Sequence, residues 1–216
     1  MNSKRLLAVA SFIDKKDKVI DVGCDHGYLG IYLKQNNLCD DILLTDLRDT
    51  ALNNAIENIK QNNLNIKTLK TDGLNNINLD EYNTISISGM GTLTIINILS
   101  LLKGNNLIDK LIIQSNNDLD ILRKKIIELG YYLDDEITIY EKDIYYVICK
   151  FIKGNKKIDN NTILFGINKK DKKDYYNYLL NNYNTILNKI PSSDIEDIKI
   201  IKNKINILEK LLKECR

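Results

Sequence analysis

The stretch Asp21-Val22-Gly23-Cys24-Asp25-His26-Gly27-Tyr28 places two glycines, three acid or imidazole side chains and a tyrosine between one short apolar run and the next. A packed core has no use for such a set, whereas a strand that delivers its backbone to a ligand does. The dinucleotide fingerprint G-x-G-x-x-G needs its second glycine so that a pyrophosphate can approach the backbone. Here Asp25 stands in that place and would repel it. D-x-G-x-x-x-G after a first strand is instead the pattern of S-adenosylmethionine binding. That ligand has no phosphate and offers a cationic amino group, a sulfonium and a ribose. Gly23 and Cys24 let the backbone pass beneath its methionyl part, Asp21 and Asp25 meet positive charge, and Gly27 permits tight entry into the next helix. A strand–turn–helix with no ligand is the competing reading.

Three further strand ends fit the same ligand. In DILLTDLRD, Asp46 lies about 20 residues after the glycine turn, where an acid hydrogen-bonds ribose hydroxyls, with Leu47 beside it. The plainer role for such an aspartate is a helix N-cap, which Asp49 can also fill. In Thr71-Asp72-Gly73-Leu74 a carboxylate can accept from an adenine amino group, or the pair is simply an Asp-Gly turn. Ser88-Gly89-Met90-Gly91-Thr92 brings two glycines to a sheet edge and would face the transferable methyl. The Asn/Asp-Pro-Pro-aromatic motif of exocyclic-amine methyltransferases is missing here, as is the Pro-Cys nucleophile of cytosine-C5 enzymes. Nothing marks Cys24 as an activated thiol. With His26 the sole histidine and the cysteines scattered, no metal site is expected. His26 itself is either a structural hydrogen-bonder or a contact to substrate or cofactor.

Apolar runs at 18–23, 41–46, 66–72, 84–89 and 110–115 alternate with helical patterns at 28–36, 49–62, 90–104 and 117–130, after a first helix over 3–13 capped by Asn2 or Ser3. That rhythm means βαβ units and a parallel sheet with helices on both faces. Gly104 and Gly130 stand where helices should end. Runs 132–140 and 143–152 are too close for a crossover helix, so they form an antiparallel hairpin turning at Glu141–Asp143. The expected fold is α/β, a Rossmann-like, seven-stranded, mostly parallel sheet with an antiparallel final hairpin, as in class I S-adenosylmethionine-dependent methyltransferases. This domain should span 1–153. Residues 154–165 read as a linker. Beyond it, Tyr176, Leu180, Tyr183, Leu187 and Ile190 form one heptad seam, and Ile198, Ile201, Ile205, Leu208, Leu212 and Cys215 another. The turn Pro191–Asp194 joins them, with Asp194 as N-cap, so 154–216 should hold an antiparallel coiled-coil hairpin.

Composition sets the partners. Residues 1–150 carry 17 Lys and Arg against 21 Asp and Glu, and residues 151–216 carry 14 against 8. A basic C-terminal third on a mildly acidic body points to nucleic acid, or to a solvated lysine-rich helix face. No run is long enough for a membrane span and no signal peptide is read at the start. Four cysteines without metal or disulfide spacing suggest a reducing, cytoplasmic setting. The abundance of Asn, Ile and Lys resembles an AT-rich coding bias.

Taken together, these residues resemble the bacterial tRNA (adenine(22)-N1)-methyltransferase family, TrmK. The resemblance rests on Ser3-Lys4-Arg5-Leu6, the Asp21–Leu29 run, Asp72-Gly73-Leu74, Ser88-Gly89-Met90-Gly91, Gln114-Ser115-Asn116, the tyrosine-rich hairpin and the C-terminal coiled coil. Gly30, Thr92 and Ser115 depart from the family's usual proline, glycine and proline. The resemblance implies methyl transfer from S-adenosylmethionine to N1 of an adenine in tRNA, leaving S-adenosylhomocysteine, by a monomer with no DNA or membrane partner. It implies that Asp25, His26 and Asn116 orient the adenine edge, that Tyr28 packs against base or cofactor, and that the base is flipped out of folded RNA. Lys4, Arg5, Lys169, Lys170, Lys172 and Lys173 would meet the RNA backbone. A small-molecule methyltransferase that dimerises through the coiled coil, and a non-catalytic RNA-binding protein on the same fold, are the alternatives. Asp25 speaks against a nicotinamide oxidoreductase.

Overall fold

The computed structural model describes residues 3–104 and 107–215. Two compact units divide the chain, Met1–Lys157 and Ile158–Arg216. The first is built on seven strands, β1 (Lys18–Val22), β2 (Asp41–Asp46), β3 (Lys67–Lys70), β4 (Thr84–Met90), β5 (Lys110–Ser115), β6 (Tyr131–Glu141) and β7 (Ile144–Lys153), in the order β3-β2-β1-β4-β5-β7-β6. The β5–β7 and β6–β7 pairings are antiparallel and the rest are parallel. The chain reverses direction of travel across the sheet between β1 and β4, so a crevice opens at their C-terminal ends. Val19, Ile20, Ile85, Ile87, Leu111, Ile112 and Ile113 are wholly buried. Continuous apolar runs of this kind suit strands covered on both faces.

The helices of this unit are α1 (Lys4–Ala10), α2 (Tyr28–Gln35), α3 (Asp49–Gln61), α4 (Thr92–Leu99) and α5 (Leu119–Glu128). Several boundaries differ from expectation for local reasons. The first helix stops at Ala10, where Ser11 turns its hydroxyl back onto the Ala8 carbonyl. Its cap is Ser3, whose hydroxyl accepts from the Leu6 N–H; Asn2 lies outside the described residues. Met90 ends β4 rather than opening a helix, and α4 starts at Thr92. The third strand is only Lys67–Lys70; just after it the Thr71 hydroxyl donates to the Asn75 carbonyl and the chain turns. Asp49 is the first residue of α3 and not its cap; its carboxylate pairs with Lys70 at 2.6 Å.

A buried charge anchors the segment after α1. Lys110, at the start of β5, donates to the Phe12 carbonyl at 3.2 Å and to the carboxylates of Asp14 and Asp17 at 2.7 Å each. Burial works against its charge, but its bonds to both carboxylates outweigh it and hold its pKa above the ordinary value. Removing one partner of a buried pair leaves the other uncompensated. Lys110→Met should therefore lower the unfolding free energy by about 3 kcal/mol in denaturant titration. A loss below about 1 kcal/mol would mean the network contributes little.

The second unit contains α6 (Asn160–Phe165), α7 (Lys173–Leu187) and α8 (Ile195–Glu214). Residues 154–165 are thus not all linker. Asp159 accepts from the Asn161 and Thr162 N–H groups and starts a short helix that buries Phe165. Helices α7 and α8 pack together as a hairpin; of the expected seam residues Tyr176, Ile205, Leu208 and Cys215 are buried, and Leu211 is buried in place of Leu212. Asp194 holds the N-cap position but makes no side-chain bond to the helix; it accepts from the Ser193 hydroxyl instead.

Candidate functional site

A cleft of about 760 Å³ lies at the C-terminal edge of β1, β2 and β4. Asp21, Gly23, Cys24, Asp25, His26 and Tyr28 line it from the β1 turn. Asp46 and Leu47 follow β2, Asp72 and Gly73 follow β3, and Ser88, Gly89 and Met90 close it from β4. Gly23 and Gly27 both sit at positive φ, +73° and +71°. A side chain is strained in that region, and a Cβ on Gly23 would stand 2.2 Å from the Met90 methyl.

Four acids give the cleft its character. Asp21 is buried, and desolvation, reinforced by the Asp46 carboxylate and opposed by the Ser86 hydroxyl, raises its pKa to about 7. Such a group gains most by meeting a cation. Asp46 is also buried, and its two oxygens accept from the Asp25 N–H at 3.2 Å and the Arg48 N–H at 2.9 Å. Those bonds fix the carboxylate at the strand end while lone pairs remain for hydroxyl donors. Asp72 is exposed at the rim. Asp25 adopts a left-handed backbone, φ +48°. Its carboxylate stands 3.6 Å from His26 Nε2 and 3.6 Å from the Arg48 guanidinium. The rings of His26 and Tyr28 stack, 5.2 Å between centroids and 21° apart in plane. Burial, then the carboxylates of Asp21 and Asp46, push the Cys24 thiol far above its usual pKa, so it is no nucleophile.

The Gly89 peptide is held from both sides. Wholly buried Gln114 accepts from the Gly89 N–H at 3.0 Å and donates to Asn116, which in turn donates to the Gly89 carbonyl at 2.8 Å. Thr92 and Ser115 join hydroxyls at 2.8 Å just behind. Asn116 therefore sets the loop and lies outside the cleft lining, as do Gly27 and Gly91; Gly27 packs on Leu44 and Ala55, and Gly91 caps α4. The sequence reading missed Arg48, whose guanidinium spans Asp25 and Asp46 (3.5 Å), although it stands two residues past the strand end. It also missed Lys142 and the wall that α1 makes with Ser3, Leu6 and Val9.

Of the expected RNA-contacting residues, Arg5 lines the cleft and Lys4 is exposed beside it. In the second unit Lys170 and Lys173 are exposed and Lys169 is half-buried. Lys172 must be withdrawn: only 1% exposed, its ammonium faces the Phe165 carbonyl at 3.4 Å and the Tyr176 ring at 5.8 Å. The run Lys-Lys-Asp-Lys-Lys crosses from a 3₁₀ turn into α7, and that bend turns one lysine inward.

Residues 2–149 match the methyltransferase domain family. The chain is 32% identical, over 94% of its length and 96% of the relative's, to a Mycoplasma genitalium protein assigned as a tRNA methyltransferase. It is 30% identical over 160 residues, 71% of this chain and 66% of the other, to the tRNA (adenine(22)-N(1))-methyltransferase of Bacillus subtilis. The structure of M. capricolum TrmK in complex with S-adenosylhomocysteine superposes with a TM-score of 0.87 at 30% identity, covering the whole of both chains. Sequence motifs, strand order and these likenesses agree: the chain belongs to the methyltransferase domain family and, within it, to TrmK, the bacterial tRNA (adenine(22)-N1)-methyltransferases.

Proposed function

We propose that this protein transfers a methyl group from S-adenosylmethionine to N1 of adenine 22 in tRNA. One observation carries the reading: an acid-lined crevice at the β1–β4 switch point opens onto a glycine loop clamped by Gln114 and Asn116. S-adenosylmethionine supplies an electrophilic methyl on a sulfonium. The residues present fit it. Asp21 receives the amino cation, Asp46 the ribose hydroxyls, Asp72 the adenine amino group, and the backbone at Gly23 admits the methionyl chain.

Adenine N1 carries an in-plane lone pair and no proton, so no base acts before attack. A bond forms from N1 to the methyl carbon as the sulfur–carbon bond breaks and its electron pair returns to sulfur. The product base is cationic. Asp25 accepts from the exocyclic amine and stabilises the charge that grows on the ring. The stacked His26–Tyr28 pair is a platform for the flipped base. Lys4, Arg5, Lys169, Lys170 and Lys173 contact the RNA backbone. Among the described residues no helix is long and apolar enough to cross a membrane, and all four cysteines are free. A tRNA substrate implies work in the cytoplasm. Transcripts carrying adenine or guanine at position 22 test the assignment. Methylation should vanish with guanine; equal labelling of both would defeat it.

Asp21 makes binding pH-dependent. Its pKa is raised in the folded protein, so fold stability drops as pH rises from the usual carboxylate range toward about 7, where the buried group must ionise. A bound cation favours the ionised form. Binding of S-adenosylmethionine at pH 6 should release roughly one proton, and at pH 8 almost none. Calorimetry in buffers of different ionisation heat reads this directly; no release at pH 6 would remove Asp21 as the cation's partner.

A further inference from the structure

The charges lining the cleft are sorted by side. All four carboxylates come from the ends of β1, β2 and β3 or the turn after β1, and Arg48 among them is paired to two of them. The opposite wall, made by α1 and the β6–β7 turn, brings Arg5 and Lys142. Among the described residues neither forms a salt bridge, and the charge of Lys142 acts on neighbouring Glu141 only as the smallest of several effects on that carboxylate. Glu141, one of the two carboxylates adjacent to Lys142 in sequence, accepts from the Lys4 N–H (3.0 Å), the Arg5 N–H (3.3 Å) and the Ser3 hydroxyl (3.0 Å). Those bonds, with that from Lys4 foremost and a smaller part from the Lys142 charge, hold it below the usual carboxylate range, and its oxygens are committed to the start of α1. Asp143 accepts from the Tyr140 hydroxyl at 3.0 Å. Arg5 donates to the Gln114 carbonyl oxygen at 3.4 Å and lies over the Tyr146 ring at 5.2 Å. This fixes its guanidinium within 3.8 Å of where a Gly89 Cβ would stand, beside the loop that faces the acceptor.

Lys142 and Asp143 both have positive φ, +52° and +62°. A two-residue hairpin turn of this kind is ordinarily made by Asn-Gly or Asp-Gly. A lysine there carries backbone strain, and strain of this sort gathers at sites of function. An arginine and a lysine at one lip, with the four cleft-lining carboxylates on the other, suit a ligand with a cationic half and a polyanionic half.

We propose that Arg5 and Lys142 bind the phosphates flanking the target nucleotide and so hold its base against the Gly89–Met90 loop. This rests on the reading of the cleft as a tRNA methylation site. Arg5 offers a fixed fork of donors and Lys142 a mobile point charge, the two usual modes of phosphate contact. These contacts position the nucleotide and carry no sequence information.

Lys142→Gln tests the proposal without disturbing Arg5 or its support. Steady-state methylation of a tRNA transcript across a salt series should show KM for tRNA raised by about five- to tenfold, with KM for S-adenosylmethionine unchanged. The dependence of log kcat/KM on log salt should become shallower by about one unit. Lys142→Arg should restore both. If the native enzyme labels tRNA and Lys142→Gln matches it in tRNA KM and salt slope, the phosphate role is wrong and the reaction stands. If Lys142→Arg is as impaired as Lys142→Gln, the turn and not the charge matters, and the proposal is equally overturned. If the native enzyme labels no tRNA, both readings fall together.

Discussion

Asp46→Ala is expected to weaken S-adenosylmethionine binding by about 100-fold, or ~3 kcal/mol, while the protein remains folded. The buried carboxylate does two things at once. It accepts from the Asp25 and Arg48 N–H groups, which shapes the β1 and β2 turns toward one another, and it offers its remaining lone pairs to the ribose. Alanine removes the charged acceptor and leaves two backbone donors to find water. Asp46→Asn keeps one acceptor oxygen and should fall between the two. Calorimetry with S-adenosylmethionine measures the loss, and circular dichroism shows that the sheet survives. A dissociation constant within about threefold of the native value would mean that the ligand does not rest on β2.

Asp25→Ala separates chemistry from cofactor binding. The Asp25 carboxylate is exposed on the cleft side, with His26 and Arg48 each 3.6 Å away. Its backbone N–H, the group that bonds Asp46, survives the substitution. Loss of a carboxylate aimed at developing positive charge costs on the order of 100-fold in kcat. The expected result is a fall of about 100-fold in kcat with S-adenosylmethionine affinity kept within about threefold. Tyr28→Ala, which removes the ring stacked on His26, should act instead on KM for tRNA. A parallel loss of cofactor affinity with Asp25→Ala would place the residue in the cofactor site and not at the acceptor.

Much of this was legible in the sequence because parallel strands end where ligands bind. An acid or glycine that closes an apolar run therefore declares its place without any tertiary knowledge. Asp21, Asp46, Asp72 and Gly89 were found in that way. Apart from Arg48, what could not be read at the cleft came from the other wall. Lys142 reaches the cleft only because a hairpin of two long strands, Tyr131–Glu141 and Ile144–Lys153, carries its turn to the mouth. Glu141 bonds Ser3, more than a hundred residues away, through a register no local pattern encodes. Asn116, expected at the adenine edge, lies outside the cleft lining and spends its amide on Gly89 and Gln114. Charge counts misled at Lys172, where a bend between a 3₁₀ turn and α7 buries one of four neighbouring lysines. The polar stretch before it hid a helix because Asp159 supplies the cap that such a short segment needs.

The most direct test incubates purified protein with S-adenosylmethionine labelled in the methyl group and an unmodified tRNA transcript, digests the RNA, and identifies the labelled nucleoside. The reading predicts label in 1-methyladenosine. Label confined to another nucleoside, or none in tRNA while calorimetry shows S-adenosylmethionine bound, would contradict it.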